Sequence, residues 1–176
     1  MCIRDRATAV AKYWICKRGP HHAYESLECL GGNGYTEDFP LAMRYREQPV
    51  MAVWEGSGNV IALDVLRAMT REPESVAAFD AEVSKARGSH PVLDAHLDRL
   101  RVDLGELARL DAAGAQRRAR SVVEGMALAL EASLLVQYSP TPVAEAFVGA
   151  RLGADRGFEY GTLPGGADLG AILDRH

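Results

Sequence analysis

Apolar side chains recur along this chain at intervals of three and four, and that period divides it into helices. Between Ala7 and Lys17, Val10 and Trp14 stand four apart with Tyr13 beside them. Gly19-Pro20 is expected to kink or break that helix, because proline has no N–H to donate and its ring crowds the preceding turn. The pattern resumes through Tyr24, Leu27 and Leu30, gives way to a loop from Tyr35 to Pro40, and returns as a short helix from Leu41 to Arg46. From about Ser57 to Met69, the residues Ile61, Val65, Ala68 and Met69 share one side, spaced for burial. The polar run TREPES, Thr70 to Ser75, carries Pro73, so a boundary is placed after residue 70, and residues 71–176 are read as a second unit. Val76 to Arg87 is a modest helix ended by Gly88-Ser89-His90-Pro91, and from Pro91 a stripe of Leu93, Leu97, Leu100 and Leu104 continues the helical period. Asp111 to Gln116 reads either as a tight connection or as a weak spot in one long helix. After it comes a helix to about Gln137, with Val122, Val123, Met126, Leu130 and Leu134 inward. Ser139-Pro140-Thr141-Pro142 is a hinge, Val143 to Leu152 the last long helix, and Gly153 to His176 an irregular tail laid over the helices. Period-two alternation is almost absent. The fold class is therefore all-α, an up-and-down helical bundle with an additional C-terminal helical subdomain. Residues 1–6 do not continue the pattern and are left uninterpreted.

Composition narrows the class. With 48% hydrophobic and 25% charged residues in 176, the chain has the makeup of a soluble globular protein, not of a disordered one. The net charge is −4; residues 1–70 balance eight basic against eight acidic side chains, and residues 71–176 carry twelve against sixteen. Nucleic acid is thus not favoured, and the one basic cluster, Arg117, Arg118 and Arg120, is expected to be a solvated, acid-paired face. Arg44 and Arg46 are likewise expected to pair with acidic neighbours. The longest apolar run, Met126 to Val136, is interrupted by Glu131 and too short for a bilayer. No apolar stretch of secretory type comes after the start, so a cytoplasmic protein with reduced thiols is expected. The three cysteines, Cys2, Cys16 and Cys29, lack metal-ligand spacing. Cys29, beside Leu27 and Leu30, is expected to be buried. No metal is expected at His21 and His22 either, because neighbouring helical residues point apart and ligand pairs prefer i and i+4.

The chemistry gathers between Leu27 and Arg67 in two turns, Gly31-Gly32-Asn33-Gly34-Tyr35 and Trp54-Glu55-Gly56-Ser57-Gly58-Asn59. Gly31 comes after a helical run, where positive φ commonly closes the last turn, and a second glycine permits close approach to the backbone. Glu55 stands between an indole and a glycine just before a helix. Ser57 or Asn59 is placed to cap that helix, whose free N–H groups face the same turn. A carboxylate desolvated by Trp54 would have a raised pKa suited to general base work; a solvated turn glutamate is the alternative.

LGGNGY, the basic MRYRE segment and WEGSGN, in that order, resemble the C-terminal helical domain of the acyl-CoA dehydrogenase flavoproteins, in particular the AidB-like, isovaleryl-CoA dehydrogenase-like branch. The resemblance covers roughly residue 7 to the end. It implies FAD as cofactor and an acyl-CoA thioester as substrate, dehydrogenated between Cα and Cβ with Glu55 as base. Trp54 and Gly56 would line the substrate pocket. Gly31 and Gly32, with Glu28 three residues before them, would approach the ADP part of a neighbouring subunit's FAD, and Ser57, Gly58 and Asn59 would reach its phosphate or adenine. Many family members carry glutamine where Glu28 stands, which puts an amide-type contact in doubt. A homodimer or homotetramer is implied; acyl chain length and electron acceptor are not. The alternative within the resemblance is an alkylation-response flavoprotein that binds DNA with little dehydrogenase activity. Because the text opens inside a family helix, it is expected to be a C-terminal fragment of a longer flavoprotein, binding FAD weakly or not at all by itself and showing no turnover.

Overall fold

A computed structural model describes the backbone of residues 3–175 and the side chains of residues 7–175. Among the described residues all regular structure is helical: α1 (Ile3–Glu28), α2 (Gly32–Tyr35), α3 (Pro40–Met51), α4 (Gly58–Arg71), α5 (Pro73–Ser84), α6 (Pro91–Leu107), α7 (Ala112–Tyr138), α8 (Thr141–Leu152) and α9 (Leu169–Leu173). The all-α class holds. The expected break at Gly19-Pro20 does not occur, since α1 runs on through Pro20. Proline removes one backbone bond, and packing of α1 against α3, α4 and α7 supplies what that bond lacks.

The 27-residue α7 is the axis of the bundle. It packs against α1, α4, α5, α6 and α8. One buried cluster joins Val10 and Tyr13 of α1, Ile61, Ala62 and Val65 of α4, Phe79 and Val83 of α5, Leu93, Leu97 and Leu100 of α6, Val122, Val123 and Met126 of α7, and Val148 of α8. That cluster crosses the boundary placed after residue 70, where the chain makes only a break at Glu72 (φ −137°, ψ 72°) between α4 and α5. Deep in it, the Ser133 hydroxyl donates to the Val83 carbonyl at 3.2 Å, so a buried polar group is satisfied across two helices.

The ambiguous stretch at 111–116 is a tight connection: Asp111 caps α7 by accepting from the Gly114 N–H at 2.7 Å. Two burial expectations need correction. Leu134 is 39% exposed, because Ala132 and Ser133 take the core face at that level of α7 and a residue one or two further round points outward. Cys29 is exposed, because α1 ends at Glu28 and the turn beyond has no helix over it; Cys16, inside α1, is buried. Cys2 lies outside the side chains described.

Arg44, Arg46 and Arg118 pair with acidic neighbours as expected. Arg118 donates to Asp103 at 2.5 Å and to Glu106 at 2.6 Å, Arg46 grips both oxygens of Glu37 at 2.7 and 2.8 Å, and Arg44 meets Glu47 at 3.5 Å. Arg120 differs, donating to the hydroxyl of the buried Tyr13 at 3.3 Å. Among the described residues no helix is long and apolar enough to cross a membrane.

Candidate functional site

The first turn grows directly from the end of α1. Gly31 adopts φ +57° with ψ −136°, a backbone state open to glycine and costly for other residues, and its N–H donates to the Glu28 carbonyl at 2.9 Å. A side chain added at Gly31 or Gly32 would meet no atom within 4 Å, so the diglycine backbone faces open space. Gly34 is the opposite case. It is buried against α1, and a Cβ there would be driven into the Leu27 carbonyl oxygen. Glu28 is exposed and accepts from the Tyr24 hydroxyl at 3.2 Å, a bond that also raises the Tyr24 pKa. Tyr24, Leu27, Tyr35, Ala42, Tyr45 and Arg46 line a cavity of about 630 Å³ beside this turn.

The second turn leaves the end of α3. Lys12 on α1 anchors it, its ammonium donating to the Met51 carbonyl at 2.5 Å and to the Trp54 carbonyl at 3.3 Å. The chain then reverses through Glu55 at φ +55° and Gly56 at φ +109°. Glu55 is the single non-glycine residue with positive φ among those described. For a residue with a Cβ that conformation costs roughly 1–2 kcal/mol, and such outliers gather at functional sites, where surrounding structure holds them. Glu55→Gly is therefore expected to stabilise the fold by about 1 kcal/mol. Urea unfolding checks this, and a destabilised variant would mean that the side chain itself props the turn.

The expected desolvation of Glu55 by Trp54 is not present within this chain. Glu55 is exposed and the indole is 54% exposed. Apolar side chains left uncovered flank Glu55 in the chain, among them Val50, Val53, Trp54 and Val60. Exposed apolar groups in such density mark a surface built for covering.

Ser57 occupies the N-cap position of α4 as expected, with extended backbone, yet its side chain makes no capping bond. Its carbonyl accepts from Ile61 at 2.9 Å. Asn59 is exposed in the first turn, and Gly58 is buried beneath Lys17, whose ammonium would lie 3.2 Å from a Cβ at that position. The α4 N-terminus thus presents N–H groups without a side-chain cap beside a lysine, a setting that favours an anion. Neither Lys12 nor Lys17 is signalled by local spacing; both are brought in by the packing of α1 on the turn.

The two turns are not adjacent. The second is anchored at Lys12 and Lys17, and the first lies just past Glu28, about 16 to 24 Å farther along α1 at 1.5 Å per residue.

The sequence profile of the acyl-CoA dehydrogenase C-terminal domain matches residues 2–70. Those residues belong to the acyl-CoA dehydrogenase family. AidB of Escherichia coli (strain K12), a protein classed with the acyl-CoA dehydrogenases, is 32% identical over 140 residues, covering 80% of this chain and 25% of AidB. An alignment of that length must reach beyond α4 into the later helices. Acyl-CoA dehydrogenase family member 11 of Caenorhabditis elegans is 35% identical over 92 residues, 52% of this chain and 15% of its own length. The solved apo form of Bd2924 superposes with a TM-score of 0.63 at 26% identity, covering 76% of this chain and 25% of that one. The chain spans a quarter or less of these relatives.

Proposed function

We propose that this chain is the C-terminal helical part of an FAD-dependent acyl-CoA dehydrogenase, in which Glu55 takes the α-proton of an acyl-CoA thioester. The observation that carries the reading is the strained Glu55 at φ +55°, held between Trp54 and Gly56 on a turn pinned to α1 by Lys12. A solvated turn glutamate has no need of that conformation. Its exposure belongs to a chain that spans only part of its relatives' length: the surface around it is apolar, and covering that surface would take the carboxylate out of water, as a buried general base requires.

The residues present fit a flavin dinucleotide. Ser57, Gly58 and Asn59 offer uncapped N–H groups beside Lys17 for a phosphate, and Gly31 and Gly32 offer open backbone to the cofactor of a neighbouring protomer. Glu28 would stand beside the diglycine as an acceptor rather than an amide donor. When bound, FAD supplies the acceptor for the hydride that leaves Cβ. Glu55 supplies the base, Trp54 walls the acyl side, and Gly56 leaves room for the thioester. A homodimer or homotetramer of the full-length protein is the corresponding assembly, because a surface that serves another protomer's cofactor requires that protomer.

The second reading, an alkylation-response flavoprotein that binds DNA, draws on the likeness to AidB. Arg118 and Arg120 are committed to Asp103, Glu106 and Tyr13, and residues 71–176 are net acidic, so the phosphate-binding surface it needs is thin here.

The deciding experiment uses the full-length flavoprotein. Acyl-CoA should bleach its flavin absorbance, and Glu55→Gln should slow bleaching about 10²- to 10⁴-fold, the span of a general base contribution, with FAD retained. Unchanged bleaching in the variant would move the base elsewhere.

A further inference from the structure

The tail is fixed to α1 by an arrangement that joins three ligand-type side chains far apart in sequence. His21 and Glu25 stand one turn apart on α1, with His21 Nε2 3.5 Å from Glu25 Oε1. From the tail, Glu159 brings Oε2 to 2.8 Å from the same nitrogen. All three ligand atoms lie within 4.8 Å of one another.

Glu159 is not there by the chance swing of a free loop. The next residue, Tyr160, is stacked beneath two guanidiniums, Arg18 at 4.9 Å and Arg151 at 5.1 Å from its ring centre, and its ring meets that of His21 at 5.3 Å. The tail is therefore docked on α1 and α8 by a neighbour of Glu159 that does not depend on Glu159 itself. His21 Nε2 is buried from solvent and finds no hydrogen bond of acceptable geometry. That nitrogen carries a lone pair in one tautomer of the neutral imidazole, and two carboxylate oxygens stand within 3.5 Å of it.

We propose that His21, Glu25 and Glu159 form a binding site for a divalent transition cation of the zinc class, which clamps the C-terminal tail to α1. One imidazole with two carboxylates suits zinc and its neighbours better than magnesium or calcium, which prefer oxygen alone. The two carboxylates balance the cation's charge. Glu159 is 73% exposed, so water reaches the remaining coordination positions. Local sequence spacing hides this site, because its third ligand lies beyond every intervening helix. The site is remote in sequence from the Glu55 turn, and the proposal does not rest on any flavin chemistry.

Zinc chloride titrated into the full chain, monitored by calorimetry in a buffer that does not chelate metal, tests it. One saturable zinc per chain is expected. Glu25→Gln and Glu159→Gln should each weaken binding about 10- to 100-fold, a loss in keeping with disturbed metal ligation, while His22→Ala leaves it unchanged. Zinc should also slow proteolysis between residues 154 and 163 in the wild type and not in Glu159→Gln. Absence of saturable binding overturns the proposal, as does an affinity left unchanged by Glu159→Gln, which would place the metal on histidines away from the tail.

Discussion

Gly34→Ala should be the most damaging single methyl group that can be added near the candidate site. Its Cβ would be forced into the Leu27 carbonyl oxygen and held 2.9 Å from the Leu27 carbonyl carbon, both backbone atoms of α1 that cannot rotate away. The turn must open or the end of α1 must unwind. Overpacking of this kind costs about 1–3 kcal/mol, and a clash with rigid backbone falls at the upper end or beyond. Gly32→Ala is the matched control, since its Cβ would meet nothing within 4 Å. It begins α2 and is expected to stay within about 0.5 kcal/mol of the wild type. Thermal unfolding of both variants, with hydrogen exchange over residues 27–36, separates the outcomes. Equal stability would show that Gly34 does not set the approach of α2 to α1. On the proposed reading of the diglycine turn, Gly34→Ala should also weaken FAD retention in the full-length protein, because that backbone is displaced with the turn.

That contrast shows what the sequence can and cannot disclose. The run Gly31-Gly32-Asn33-Gly34 announces a turn after a helix, and positive φ at Gly31 comes with it. Which glycine is indispensable is not announced, because Gly34 is needed by a close approach to α1 and a tertiary distance leaves no local mark. Glu55 divides in the same way. Its place before a helix start, with Ser57 at the N-cap, is legible, whereas its left-handed backbone comes with Lys12 gripping the Met51 and Trp54 carbonyls just before the reversal, forty or so positions away. Heptad-like spacing locates the inward faces of α4 and α6. It fails at Leu134, where a small residue and a serine hold the core side, and at Cys29, where the helix stops before it can cover the thiol. Pro20 does not break α1 because one missing hydrogen bond is minor beside the packing of a 26-residue helix.

Phe79→Ala should remove the largest share of stability of any truncation in the core. The ring is 1% exposed and lies in the buried cluster that joins α1 and α4 to α5, α6 and α7. Truncation of such a phenylalanine costs about 3–5 kcal/mol, from lost transfer energy and the cavity left behind. Phe158→Ala, at 98% exposed, supplies the blank and should be nearly neutral. The form of the unfolding curve matters as much as its midpoint. Because one cluster runs across the break at Glu72, loss of Phe79 should lower protection of α1 amides and α7 amides together in a single cooperative transition. If helices after residue 70 formed a core of their own, Phe79→Ala would loosen α5 to α8 and leave α1 and α4 protected, giving two transitions. The first result would mean that the Glu55 turn draws its rigidity from the C-terminal helices as well as from α1. Variants remote from the turn, Phe79→Ala among them, would then relax the positive φ at Glu55 and slow flavin bleaching in the full-length protein without touching the site.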